Sequence, residues 1–152
     1  MPRVVIPDTS ALILFQKIDE FNLLKEIYRE LISTPEVAEE FGEALPSWLK
    51  VKEVFDKKYQ KFIETQVDYG EASAIALATE HEDVLLVLDD LKARNLAKRL
   101  NFKVTGSLGV IHRAKQMSII SEVKPLIDRL LQTDFRISKN VIDELLKLNN
   151  EL

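Results

Sequence analysis

The feature that most constrains this chain is a recurring unit: a short apolar run, an acid or hydroxyl at its end, then a helical segment. Val4-Val5-Ile6-Pro7 closes in Asp8-Thr9-Ser10, and Val84 to Leu88 closes in Asp89-Asp90. Runs that are apolar at every position suit strands buried on both faces, and alternation with helices implies a parallel sheet covered on both sides. The sequence predicts strands at 3–7, 31–33, 84–88 and 102–105, with an edge strand at 48–54. Helices are predicted over 11–15, 21–30, 35–41, 55–64, 68–81, 91–100, 107–117, 122–131 and 138–148. Thr34-Pro35 is the clearest start, a capping hydroxyl followed by proline at the first helical position. The expected fold is a three-layer α/β/α sandwich with a central, mainly parallel sheet and extra C-terminal helices. A length of 152 residues fits one domain spanning residues 1–152.

Composition excludes several classes. There is no cysteine, so disulfides, thiolate zinc sites and cysteine nucleophiles are ruled out. Hydrophobic residues make up 46% and charged residues 30%, the balance of a globular chain. Met1-Pro2-Arg3 runs straight into a strand with no signal-peptide pattern, and no apolar run approaches the roughly 20 residues of a membrane span. A cytoplasmic location without membrane contact is expected. A net charge of −4 argues against a protein that coats nucleic acid, though not against one that cuts it, because bound metal restores positive charge locally.

Open parallel sheets bind ligands outside the carboxyl ends of their strands. Asp8 and Asp89-Asp90 lie there, although each is also suited to cap the next helix. Glu71 falls on one helical stripe with Ala74, Ile75 and Ala78, so it points inward, where a carboxylate is costly unless compensated. Asp68-x-x-Glu71 is also a capping box, so Glu71 could be turned back to its own helix start. In the Pro35-led helix Val37 and Phe41 mark the apolar face. At about 100° per residue, Glu40 lies beside Val37 while Glu39 lies opposite. Glu36, Glu39, Glu40 and Glu43 equally suit a solvated face. Carboxylates gathered from these positions would raise one another's pKa unless a cation joined them, and oxygen-only donors suit Mg²⁺ or Mn²⁺. Arg94 and Lys98, one turn apart after Asp90, are candidates to hold a phosphate. His81 and His112 have no partner at metal-ligand spacing.

Asp8-Thr9-Ser10, Glu40, Gly70-Glu71-Ala72 and Leu88-Asp89-Asp90, taken in order, resemble PIN domains, metal-dependent ribonucleases that include VapC-like toxins of toxin–antitoxin pairs. Thr105-Gly106-Ser107-Leu108-Gly109-Val110 with Ala114-Lys115 resembles a prokaryotic PIN-like subgroup. The resemblance implies hydrolysis of RNA phosphodiester bonds with Mg²⁺ or Mn²⁺, and Asp8, Glu40, Glu71 and Asp90 as the acidic quartet. It leaves Asp89 as an alternative ligand. Ser10 is similar to the family's hydroxyl beside the first aspartate and would orient Asp8 or a water at the metal. The resemblance also implies a homodimer and an antitoxin partner. Two departures, Leu88-Asp89-Asp90 for Thr-x-Asp and Glu71 for Asp, open an alternative: a degenerate module that binds RNA or protein without cutting.

Overall fold

The computed structural model describes all 152 residues. Five strands form one sheet: β1 (Val4–Pro7), β2 (Leu31–Ser33), β3 (Leu49–Val51), β4 (Val84–Val87) and β5 (Lys103–Thr105). Their order is β3-β2-β1-β4-β5 and every pairing is parallel. The helices are α1 (Thr9–Lys17), α2 (Leu23–Ile27), α3 (Pro35–Phe41), α4 (Lys57–Glu64), α5 (Tyr69–Ala78), α6 (Leu91–Arg99), α7 (Ser107–Gln116), α8 (Lys124–Leu131) and α9 (Lys139–Leu148). This is the α/β/α sandwich expected of the sequence.

Strand pleating splits the core in two. In β1, Val5 joins the cluster built with α1, α2, α7 and α8, whereas Val4 and Ile6 join the one built with α5 and α6. Phe15, fully buried, sits in the first cluster; cutting such a side chain back to alanine costs about 3–5 kcal/mol. Helix α5 lies in the second. Every residue from Gly70 to Ala78 is buried, and its alanines let the sheet and α4 approach closely.

The chain begins in the centre of the sheet, lays β2 and β3 to one side, then returns to lay β4 and β5 on the other. β1 and β4 therefore flank the switch point where α/β sheets hold ligands. Their register pairs Pro7 with Val87, which brings Asp8 and Leu88-Asp89-Asp90 to one edge.

Several boundaries differ from expectation; α1 runs from Thr9 to Lys17, longer at both ends than the predicted 11–15. Helix α2 is shorter, because Asn22 makes no side-chain cap and Tyr28 is already extended toward β2. Strand β3 covers only Leu49–Val51, as suits an edge strand. Helix α5 ends at Ala78, and residues 79–81 close in tighter three-residue turns. Near the C-terminus the Glu151 carboxylate accepts from the Val123 and Lys124 amides and pairs with Lys115, which ties the chain end to α7 and α8. No helix is long and apolar enough to cross a membrane.

Candidate active site

Three helices begin at the switch-point edge, and an acid stands at the start of each. Asp8 is the N-cap of α1, and its Oδ1 accepts from the Ala11 amide at 2.9 Å. Asp90 caps α6, with Oδ2 accepting from the Ala93 amide at 3.0 Å. Glu71, in the first turn of α5, accepts from the Asp68 amide through Oε1 at 3.2 Å. The capping alternatives weighed for these residues are thus realised, yet each bond uses one carboxylate oxygen. The second oxygen of each side chain makes no hydrogen bond to the protein. Three converging N-termini also add positive ends of helix dipoles, which moderates the repulsion among the acids.

Asp8 is the strongest case. It is 1% exposed, and its Oδ2 is buried without a hydrogen-bond partner. Burial pushes its pKa up to about 8, against the Ala11 amide, with Asp89, Glu71 and Asp90 adding to the rise. Burial likewise lifts Glu71 to about 7, against the Asp68 amide, with help from Asp90, Asp68 and Glu40. Each of these two carboxyls is disturbed by the other acids of the site, as a carboxylate cluster without a cation must be.

Glu40 reaches the same place from α3. Its Oε1 accepts from the Thr9 hydroxyl at 2.7 Å. A Cβ on Gly70 would collide with that oxygen and lie 2.9 Å from Thr9 Oγ1, so glycine is what lets Glu40 come so close to the start of α5. A cavity of about 180 Å³ is lined by Asp8, Thr9, Ser10, Glu40, Asp68 and Glu71. A neighbouring one of about 340 Å³ shares Asp68 and Glu71 and adds Asp90 and Lys92. A larger hollow of about 590 Å³ lies at the opposite end of the sheet, among Arg3, Arg29, Glu30, Glu82 and Asp83. It contains no buried orphan atom and has none of the strand-end acids.

The other predicted residues lie outside this quartet. Asp89 is occupied as a tether: its Oδ1 accepts from the Ser107 amide at 2.8 Å and its Oδ2 from the Ser107 hydroxyl at 2.5 Å. These bonds fix the end of β4 to the start of α7 and engage both Asp89 oxygens, whereas Asp90 keeps one oxygen without a protein partner. Ser10 borders the cavity but is exposed and makes no hydrogen bond to the protein, whereas the neighbouring Thr9 hydroxyl bonds Glu40. Lys98 lies farther along α6, in a hollow of about 480 Å³ with Lys92, Asn95 and Arg99; Lys92 is the cation that borders the acids. Arg94 turns to the carbonyl of Leu88 at 2.9 Å. Glu71 sits on a helix buried all round from Gly70 to Ala78, wider than the single stripe expected. Thr9 and Asp68 also line the cavity; the sequence marks Asp68 only as a capping acid. Glu36, assigned to a solvated face, is buried and bonded by Gln60 Nε2.

A family model for the PIN domain matches residues 4–151. The chain belongs to the PIN domain family. PIN domains are generally nucleases and typically use divalent metals. No curated protein matches this chain. As the side chains lie, no three acids or histidines stand in metal-binding geometry. The donor set nevertheless suits a hard cation: every candidate atom is a carboxylate oxygen, and Asp8 Oδ2 is a buried acceptor that water or a cation must satisfy.

Proposed function

We propose that this PIN domain is a divalent-metal-dependent endoribonuclease whose metal is held by Asp8, Glu71 and Asp90, with Glu40 closing the site. The observation that carries the proposal is the unpartnered Asp8 Oδ2, buried at the switch point within an acid-lined crevice. Burial of a carboxylate oxygen without a partner costs about 1–3 kcal/mol or more, and a cation offsets that cost. Mg²⁺ or Mn²⁺ bound there would polarise a phosphoryl oxygen and acidify a water. The chain supplies the rest. Three capping bonds hold the acids on rigid helix starts, and Thr9 holds Glu40 over Gly70. Lys92 gives the crevice rim a cation to meet a phosphate. RNA is the proposed substrate. A homodimer and an antitoxin partner are separate proposals, addressed by light scattering and by co-purification.

Cleavage of a single-stranded RNA with titrated Mn²⁺ tests the proposal. Wild type should cut, and Asp8→Asn should lose about a hundredfold or more, the upper range for disturbing a metal shell. Equal cleavage by both proteins, or none with any divalent metal, contradicts it. The spread of the acids favours one rival, a PIN-like module that binds without cutting. Calorimetry with Mn²⁺ separates the two, because that rival predicts no heat that Glu71→Gln abolishes.

A further inference from the structure

A further hollow, of about 410 Å³, opens beside Asp89 and is completed by the C-terminal part of the chain. It runs from the start of α6 past Gly106–Gly109 to the connection between α8 and α9. Two guanidinium groups line it, Arg94 and Arg136, together with Leu91, Leu108, Phe135 and Val141. Neither arginine pairs with a carboxylate. Arg94 gives one N–H to the Leu88 carbonyl, and its fork has others to offer. The one acid in the lining is Asp89, whose two oxygens are both taken by Ser107.

Glycine shapes this wall too. A Cβ on Gly106 would lie 2.6 Å from Arg94 Nη1 and 2.9 Å from Asp89 Oδ1, so any larger residue would displace the guanidinium from the sheet end. At the start of α7 the Ser107 amide is already bonded to Asp89, so the two arginines are the groove's free donors for an anion. On the apolar side, Leu91 is 71% exposed and Val141 43% exposed. Exposed aliphatic side chains in the same groove as two arginines without carboxylate partners suit a ligand with one apolar face and one anionic group.

We propose that this groove seats one nucleotide of a single-stranded RNA next to the bond being cut, with its phosphate on Arg94 and Arg136 and its base against Leu91 and Val141. The inference rests on the nuclease reading of the acid crevice, which begins one residue away at Asp90. It gives the Thr105–Gly109 motif and the C-terminal helices a part in substrate binding.

The test uses the Asp8→Asn chain, fluorescent oligouridine and EDTA, so that binding is read without cleavage. Arg136→Ala and Leu91→Ser are added separately; both positions are exposed, and melting temperature confirms that each variant folds. Each should weaken binding roughly fivefold to tenfold, and Arg136→Ala should lower the salt slope by about 0.7. Equal binding by all three proteins overturns the groove assignment even where wild type cleaves RNA with metal. Groove-dependent binding with no cleavage under any metal keeps the groove and removes the nuclease. Binding of an acidic peptide in place of oligouridine also overturns the assignment.

Discussion

Replacing Asp8 by asparagine should stabilise the metal-free protein, and increasingly so as pH rises. Asparagine keeps the carbonyl oxygen that accepts from the Ala11 amide and removes the charge. Asp8 titrates near 3.8 when unfolded and near 8 when folded. Between those values the native state holds a proton that the unfolded state has released. The stability linked to Asp8 is therefore complete below pH 3.8 and drains away as pH climbs to about 8. Each pH unit is worth about 1.4 kcal/mol, so wild type should lose up to about 3.5 kcal/mol between pH 5 and pH 8 from this group. Water entering the crevice lowers that figure. The loss is a sizeable share of the roughly 5–15 kcal/mol that holds a domain together. Asparagine does not titrate, so the variant should lack this decline while keeping the one due to Glu71. Urea unfolding in EDTA at pH 5 and pH 8, followed by circular dichroism, measures the difference directly. A wild type–variant gap that stays constant, or that closes as pH rises, would refute the assignment of a buried, strained carboxylate.

Other outcomes follow from the same geometry. Mn²⁺ at a hundred times its Kd at pH 6 should stabilise wild type by about 2.7 kcal/mol at that pH; at the same concentration the gain should grow toward pH 8 as protons leave Asp8 and Glu71, and vanish in Asp8→Asn. A pH-independent melting shift would argue for a different site. Gly70→Ala should drive Glu40 out of the cavity and weaken Mn²⁺ binding by about tenfold. Its melting temperature should hold, since alanine is the better helix former, and unchanged calorimetry would show that Glu40 is idle. Ser107→Ala should cost about 1 kcal/mol in urea unfolding by freeing Asp89 Oδ2. It should leave Mn²⁺ affinity intact; an affinity loss matching that of Asp90→Ala would return Asp89 to the ligand set.

Much of the layout was readable from the chain itself. Apolar runs with no polar face announced strands covered on both sides and put acids at the ends of two of them; that these two strands are neighbours at the switch point is read only from the sheet order. Helix phase favoured Glu40 over Glu39, and Glu40 is the one that meets Thr9. What the sequence left open depends on which oxygen goes where. Asp89 and Asp90 are adjacent and chemically identical, and only the arrival of Ser107 from β5 makes one of them a tether. Thr9 and Ser10 present the same hydroxyl on neighbouring residues, so only the position of α3 decides between them. Lys98 shares a face of α6 with Arg94, but helical rise carries it away from the acids. Asp8 and Glu71 show the converse ambiguity: capping and ligation look like rivals in the sequence, but a carboxylate has two oxygens, and capping uses only one of them.

The central claim is that Asp8, Glu71 and Asp90, with Glu40, hold a divalent cation at the switch point. A crystal of the protein soaked in Mn²⁺ and read by anomalous scattering tests it most directly. The account predicts a peak within ligating distance of Asp8 Oδ2, bounded by Glu71 and Asp90. An occupied site elsewhere, or a saturating soak that leaves Asp8 Oδ2 without a cation, would contradict it.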